Sequence, residues 1–353
     1  MLGAIALLLA PAALALAPLD GRIDRFGAPG APVRLVQDTA PEKDPRLRAL
    51  FARAEAGDAV AQNRLGQKFE NGDGVGRDLA EAARWYRRAA EQGHAEAQLN
   101  LGVLYENGEG VARDLGEAAR WYRGAAEAGE VLAQLTLGLL YREGRGVPVD
   151  YGEAARWFRA VADQGFAVGQ INLAFMYLDG LGVAQDDAAA AALLRAAAEG
   201  GHPVAQNNLG ILYATGRGVP SDPKLAAAWH ERAASQGLAN AQYRIGLLYE
   251  QGEGVPRDDA AAARWYRQAA EQGEVAAQTN LGLMYRDGRG VPQDDAQAHA
   301  WLSVVLKRGA EAPEAERAAE ARAELARRMS EADLAAAEQA KAEVLRRLGT
   351  TAP

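Results

Sequence analysis

Few residues in this 353-residue chain could do covalent chemistry. It holds four histidines, four serines and no cysteine. Without cysteine there is no disulfide and no thiolate metal site. His94 and His202 share one position of a repeat, three units apart, while His230 and His299 stand alone. No H-E-x-x-H pair and no isolated pair of carboxylates accompanies them, so no metal site and no metal-dependent hydrolysis is expected. The stretch "SDPK", Ser221 to Lys224, fits the S-x-x-K of serine acyl-enzymes, where serine and lysine share one helix face. Here Ser221 precedes the helix that Asp222 opens, and neither S-D-N nor K-T-G occurs. Equivalent segments read "ARDL", "PVDY" and "PRDD", so the match reflects drift within a repeat. No catalytic residue is assigned.

Glycine-rich loops can cradle phosphates, and "NLGVLYENGEGV" (residues 100–111) contains one. The G-x-G recurs at Gly72/Gly74, Gly108/Gly110, Gly144/Gly146, Gly180/Gly182, Gly216/Gly218, Gly252/Gly254 and Gly288/Gly290, each time before valine. Seven equal copies without G-K-[ST] are not a nucleotide site. A glycine just past a helix, in the left-handed conformation, closes the last turn, and the following apolar residue packs back. No cofactor is expected.

What remains is recognition without chemistry. Two rows run through the repeats. One reads Arg64, Asn100, Thr136, Asn172, Asn208, Arg244, Asn280; the next reads Gln67, Val103, Leu139, Phe175, Ile211, Leu247, Leu283. An amide ladder beside an apolar ladder suits an extended peptide, whose backbone takes the amides and whose side chains take the apolar slots. The candidate peptide-binding residues are Asn100, Asn172, Asn208 and Asn280 with Val103, Leu139, Phe175, Ile211, Leu247 and Leu283. The competing arrangement packs the apolar row between repeats and leaves the asparagines merely exposed. A further row, Arg84, Arg120, Arg156 and Arg264, lies beside tryptophans; it reads as a solvated face whose alkyl stems cover the rings.

The elements that position these rows come from a period of 36 residues. Trp85, Trp121, Trp157, Trp229, Trp265 and Trp301 keep it with one omission, at Leu193. Gln62 to Gln278 and Asp78 to Asp294 keep it seven times without a break. In "GHAEAQLNLGVLYENGEGVARDLGEAARWYRGAAEA", Ala97, Leu101, Leu104 and Tyr105 form one apolar helix face. Asp114 with Glu117 opens a second helix as a capping box, and Ala118, Tyr122 and Ala125 form its face. Each unit is a helix–loop–helix hairpin that must stack on its neighbours. Gly66, Gly102, Gly138, Gly210, Gly246 and Gly282 sit inside the first helix, where unit four has Ala174. Alanine is tolerated there, so smallness is needed, consistent with a tryptophan or tyrosine from the adjacent helix lying close. Ala174 with Leu193–Leu194 makes unit four a candidate hinge.

"LGVLY" resembles the L-G-x-x-Y of tetratricopeptide repeats. The fuller pattern A-x-A-Q-x-x-L-G-x-x-Y-x-x-G-x-G-V-x-x-D, then A-x-x-W-Y-x-x-A-A-x-Q-G, resembles the Sel-one-like repeat family over most of the chain. The resemblance implies an all-α, right-handed α/α superhelical solenoid, here of seven 36-residue repeats with N- and C-terminal capping helices. It also implies a scaffold or adaptor for a protein or peptide held in the concave groove. In tetratricopeptide proteins asparagine before L-G often binds peptide backbone, and the resemblance transfers that role to Asn100, Asn172, Asn208 and Asn280. Some exported, cysteine-rich relatives are tied to β-lactam binding; this chain lacks every such cysteine, which leaves that hydrolase as the alternative.

At the ends, residues 1–19 are apolar with an A-x-A cue at 15–17, as in a signal peptide, although no Lys or Arg precedes the run. Export to the periplasm or beyond is expected; without cleavage, a cytoplasmic adaptor is the alternative. Residues 20–43 are a Pro/Gly-rich linker, 44–56 an N-terminal capping helix, 57–309 the seven repeats, and 310–353 a C-terminal pair of capping helices. The alternative for that pair is docking a partner. With a net charge of −8 the chain has no basic footprint for nucleic acid. The mature chain is expected to be a monomer with no membrane-spanning segment.

Overall fold

The computed structural model describes residues 44–307 and 314–349. The apolar run at 1–19 and the linker at 20–43 lie outside them. Among the described residues there are seventeen helices and no strand. Helix α1 spans Pro45–Glu55. The seven units follow as pairs: α2 (Ala59–Asn71) and α3 (Leu79–Ala90), α4 (Ala95–Asn107) and α5 (Leu115–Glu127), α6 (Val131–Glu143) and α7 (Tyr151–Asp163), α8 (Ala167–Asp179) and α9 (Asp187–Glu199), α10 (Pro203–Thr215) and α11 (Pro223–Ser235), α12 (Ala239–Gln251) and α13 (Asp259–Glu271), α14 (Val275–Asp287) and α15 (Asp295–Lys307). Helices α16 (Glu314–Arg328) and α17 (Glu331–Arg347) complete the set. Each helix packs on the next in sequence from α1 to α15, giving an α/α solenoid.

Each first helix ends on a left-handed glycine, φ 65° to 75°, from Gly72 to Gly288. The second loop glycine has a different task. A Cβ on Gly146 would stand 2.2 Å from the Leu115 carbonyl oxygen, and one on Gly254 2.0 Å from that of Pro223. This glycine docks the loop on the opening turn of the preceding unit's second helix. The G-x-G is therefore a joint.

Aspartate opens each second helix. The Asp114 carboxylate accepts from the Gly116 and Glu117 amides at 2.9 and 3.0 Å. The expected reciprocal half of the box does not form there: Glu81, Glu117 and Glu153 turn to Arg84, Arg120 and Arg156 one turn on. A full capping box forms at Ser330 and Asp333.

The glycine inside the first helix lies under an aromatic ring. A Cβ on Gly102 would meet the Tyr122 ring at 2.7 Å, and one on Gly138 the Phe158 ring at 2.7 Å. The residue that needs the space is the one after tryptophan. In unit four Ala174 and Leu194 are both fully buried in one cluster: the smaller side chain leaves room for a methyl.

The glutamine row joins units. The side-chain amides of Gln62, Gln98, Gln134, Gln206, Gln242 and Gln278 donate to the carbonyls of Ala54, Ala90, Ala126, Ala198, Ala234 and Ala270. Each satisfies a carbonyl in the last turn of the helix before it, a group the helix leaves unpaired. Because Ala54 belongs to this series, α1 stands as the second helix of a unit that precedes unit one.

At the far end α16 and α17 do not form a hairpin with each other. Both pack on α15, and α16 also lies on α14. Ala318, Ala321 and Leu325 of α16 face Ala298, Leu302 and Val305 of α15. Val344 and Leu345 of α17 join Trp301 and Val304.

Candidate functional site

The first helices carry both candidate rows. All six apolar residues, Val103, Leu139, Phe175, Ile211, Leu247 and Leu283, are half-buried. Val103 and Leu139 rest on the core of units two to four, and Phe175 on that of units four and five. They pack sideways between repeats and still present an open edge.

The asparagines divide. Asn100 and Asn208 are half-buried. Asn100 donates its amide to the Asn63 side-chain oxygen at 3.2 Å, and Asn208 to the carbonyl of Val204, four residues back, at 2.8 Å. Among the described residues neither side-chain oxygen has a donor. Asn172 is only 2% exposed. It donates to the Val168 carbonyl at 2.8 Å and accepts from Arg142 at 3.1 Å. Asn280 accepts from Arg317 of α16 at 3.2 Å, and Leu283 packs in the cluster that α16 closes. The open stretch thus runs over units two to six, with Asn172 engaged inside the chain and the seventh rung covered by α16.

A polar chain that sequence reading missed lies beside this stretch. His230 replaces the tyrosine of unit five and is 3% exposed. Its Nδ1 donates to Asn207 Oδ1 at 3.0 Å, and Asn207 donates to Asn240 at 3.3 Å. Arg244 donates to the same Asn240 oxygen at 3.0 Å. Burial, with the nearby Arg244 charge, pushes the imidazole down to about 3. A proton there would be buried without a counter-charge, so the ring is neutral.

The signal for this substitution was available. Tyr86, Tyr122 and Tyr266 donate their hydroxyls to Glu70, Glu106 and Glu250, sixteen residues earlier. Where the tyrosine changes, the glutamate changes with it: Phe158 with Arg142, Leu194 with Leu178, His230 with Ala214, Leu302 with Arg286. Burial and the facing carboxylates hold the Tyr122 and Tyr266 hydroxyls protonated, far above the ordinary phenol range.

The remaining sequence candidates fall into structural roles. Arg120 and Arg156 stack on Trp121 and Trp157, 4.2 and 4.3 Å from the ring centroids, while remaining largely exposed. His94 and His202 are the residues opening first helices, and His94 Nδ1 accepts from the Ala97 amide. Ser221 lies outside the helix that Asp222 caps. Among the described residues no three His, Cys, Asp or Glu side chains gather to hold a metal ion, and no helix is long and apolar enough to cross a membrane.

Comparison with known proteins agrees with this architecture. The Sel1 repeat family model matches residues 59–94, 95–130, 131–166, 167–202, 203–238, 239–274 and 275–303. A Sel1 repeat protein from Oxalobacter formigenes is 37% identical, with a TM-score of 0.68 over 80% of this chain and 82% of its own. A protective antigen with an SLR fold from uropathogenic Escherichia coli is 27% identical, with a TM-score of 0.47 over 86% of this chain and 87% of its own. No curated protein matches. Seven consecutive matches on a stack of seven hairpins place the chain in the Sel1 repeat family.

Proposed function

We propose that the protein is a non-enzymatic scaffold that holds a protein segment along the first helices of units two to six. The observation that carries this is the unbroken, half-exposed apolar row Val103, Leu139, Phe175, Ile211 and Leu247. One slot recurs per unit, and the free side-chain oxygens of Asn100 and Asn208 stand beside it to accept from a peptide backbone. A surface of repeated, equivalent slots recognises shape and spacing rather than performing a reaction. The Asn208→Ala/Ile211→Ala double variant is expected to lose partner capture with helicity unchanged; undiminished capture would remove the groove. No turnover of nitrocefin is expected, and turnover would restore the hydrolase alternative.

We also propose that the scaffold works in the cell envelope. The apolar run with its A-x-A cue supports a periplasmic or secreted location. Sequencing the amino terminus of the protein from its native host decides: an intact Met1 would place the adaptor in the cytoplasm instead.

A further inference from the structure

Among the described residues the array is open at its beginning. Every second helix from α3 to α15 has its own first helix lying across it. Helix α1 is the same kind of helix, by its Ala54 carbonyl bond to Gln62, yet no described residue fills its partner's place. What lies there is an open cleft of about 780 Å³ between α1 and α2. Arg46, Ala49, Leu50 and Arg53 line one wall, at i, i+3, i+4 and i+7 of α1. Arg64, Gln67, Lys68 and Asn71 repeat that spacing on α2. Two helix faces, with Ala49 and Leu50 as the apolar part of the lining, make a groove of the kind an amphipathic helix can enter.

The charge in this groove runs against that of the whole chain, which is −8. Four cations line it against one carboxylate, Asp73. Asp73 is already held by Lys68 at 2.8 Å, and Arg53 pairs with Asp58. Among the described residues Arg46 and Arg64 have neither an ion pair nor a side-chain hydrogen bond, and both are exposed. Two free guanidiniums present forked donors suited to carboxylates.

We propose that the cleft between α1 and α2 docks an acidic amphipathic helix of a partner protein, seated where the first helix of α1's own unit would lie. The partner's apolar stripe covers Ala49 and Leu50, and its carboxylates reach Arg46 and Arg64. The proposal rests on the groove reading only in that Arg64 and Gln67 form the first rung of the two rows.

The test uses the full chain and a synthetic, Glu-rich amphipathic helical peptide as probe. Binding is read by fluorescence anisotropy at two salt concentrations. The wild-type chain is expected to bind it, more weakly at high salt. Arg46→Glu/Arg64→Glu is expected to weaken binding ~tenfold or more, since like charge replaces attraction. Asn208→Ala/Ile211→Ala is expected to leave it unchanged, which separates this site from the central groove. Absence of binding to the wild-type chain would overturn the proposal. So would full binding by the Arg46/Arg64 variant, or equal binding of a scrambled peptide of the same composition, which would reduce the cleft to a general anion patch.

Discussion

Units two and six close in one way, units four and five in another. In unit two the Tyr122 hydroxyl donates to Glu106 at 2.7 Å, and Arg145 from the next unit reaches the same carboxylate at 2.8 Å. Unit six repeats this with Tyr266, Glu250 and Arg289, both bonds at 2.7 Å. One glutamate thus fastens two helices of its own unit and the loop of the next. Unit four has Leu178 in the glutamate's place, so Arg217 takes the Leu178 carbonyl and Asp187 instead. Its Gln170, alone in its row, makes no bond to the preceding helix among the described residues. Unit five puts a buried, neutral imidazole where the hydroxyl would be. The difference teaches that one fold tolerates either a polar bolt or its absence, provided both partners change together. Removing one alone would strand a buried polar group.

The sharpest way to break the joint is at the loop, since units two to seven share it. Gly146→Ala forces a side chain to φ 73° and 2.2 Å from the Leu115 carbonyl oxygen. It is expected to destabilise by roughly 3 kcal/mol, measured as a lowered urea midpoint. Gly57→Ala is the contrast: φ is 98° but nothing lies within 4 Å, so a loss of about 1 kcal/mol is expected. Equal losses would deny that the second loop glycine is a docking point.

Unit five should respond to acid. The His230 imidazole stands at about 3 in the fold against an ordinary 6.5. The unfolded chain therefore takes up the proton first as pH falls, and the folded state does not. Stability from this residue is complete above about pH 6.5 and drains away toward pH 3, with about 2 kcal/mol gone by pH 5. Ala214→Glu/His230→Tyr rebuilds the bolt of unit two and is expected to flatten the profile between pH 6.5 and 5. A wild-type profile just as flat would place His230 in water.

Unit four should breathe. Hydrogen exchange over residues 165–200 is expected to outpace that of units three and five, since the aromatic pair, the glutamate and the glutamine bond are all missing there. Exchange no faster than in its neighbours would end the hinge idea. The smallest effect is expected from Tyr122→Phe. Glu106 keeps Arg145 as partner, so a loss of about 1 kcal/mol in chemical denaturation would follow; no loss would show the bolt to be idle.

Periodicity made the fold legible because every unit needs the same joints. The left-handed glycines, the aspartate caps and the need for smallness at Gly102 could all be read from recurrence. The partner of that glycine was read only as tryptophan or tyrosine, because Trp121 and Tyr122 are both buried and only the crossing of the two helices shows which ring lies over it. The site was legible less well. The amide of Asn172 bonds its own helix and its oxygen takes Arg142, and spacing does not show such local competition. Coverage of Asn280 and Leu283 by α16 depends on a contact made after the period ends. The tyrosine–glutamate pairing, by contrast, was written in seven aligned copies of one chain and asked only to be compared column by column.

The central claim is that, over units two to six, the first helices bind and the second helices do not. Photo-crosslinking residues placed singly at Ile211, on the half-buried apolar row, and at Arg156, on the exposed face of α7, test it in the native host. Capture of the same partner from position 211 and none from position 156 is the result predicted. Capture from 156 alone would move the binding surface to the opposite layer of the solenoid and contradict the account.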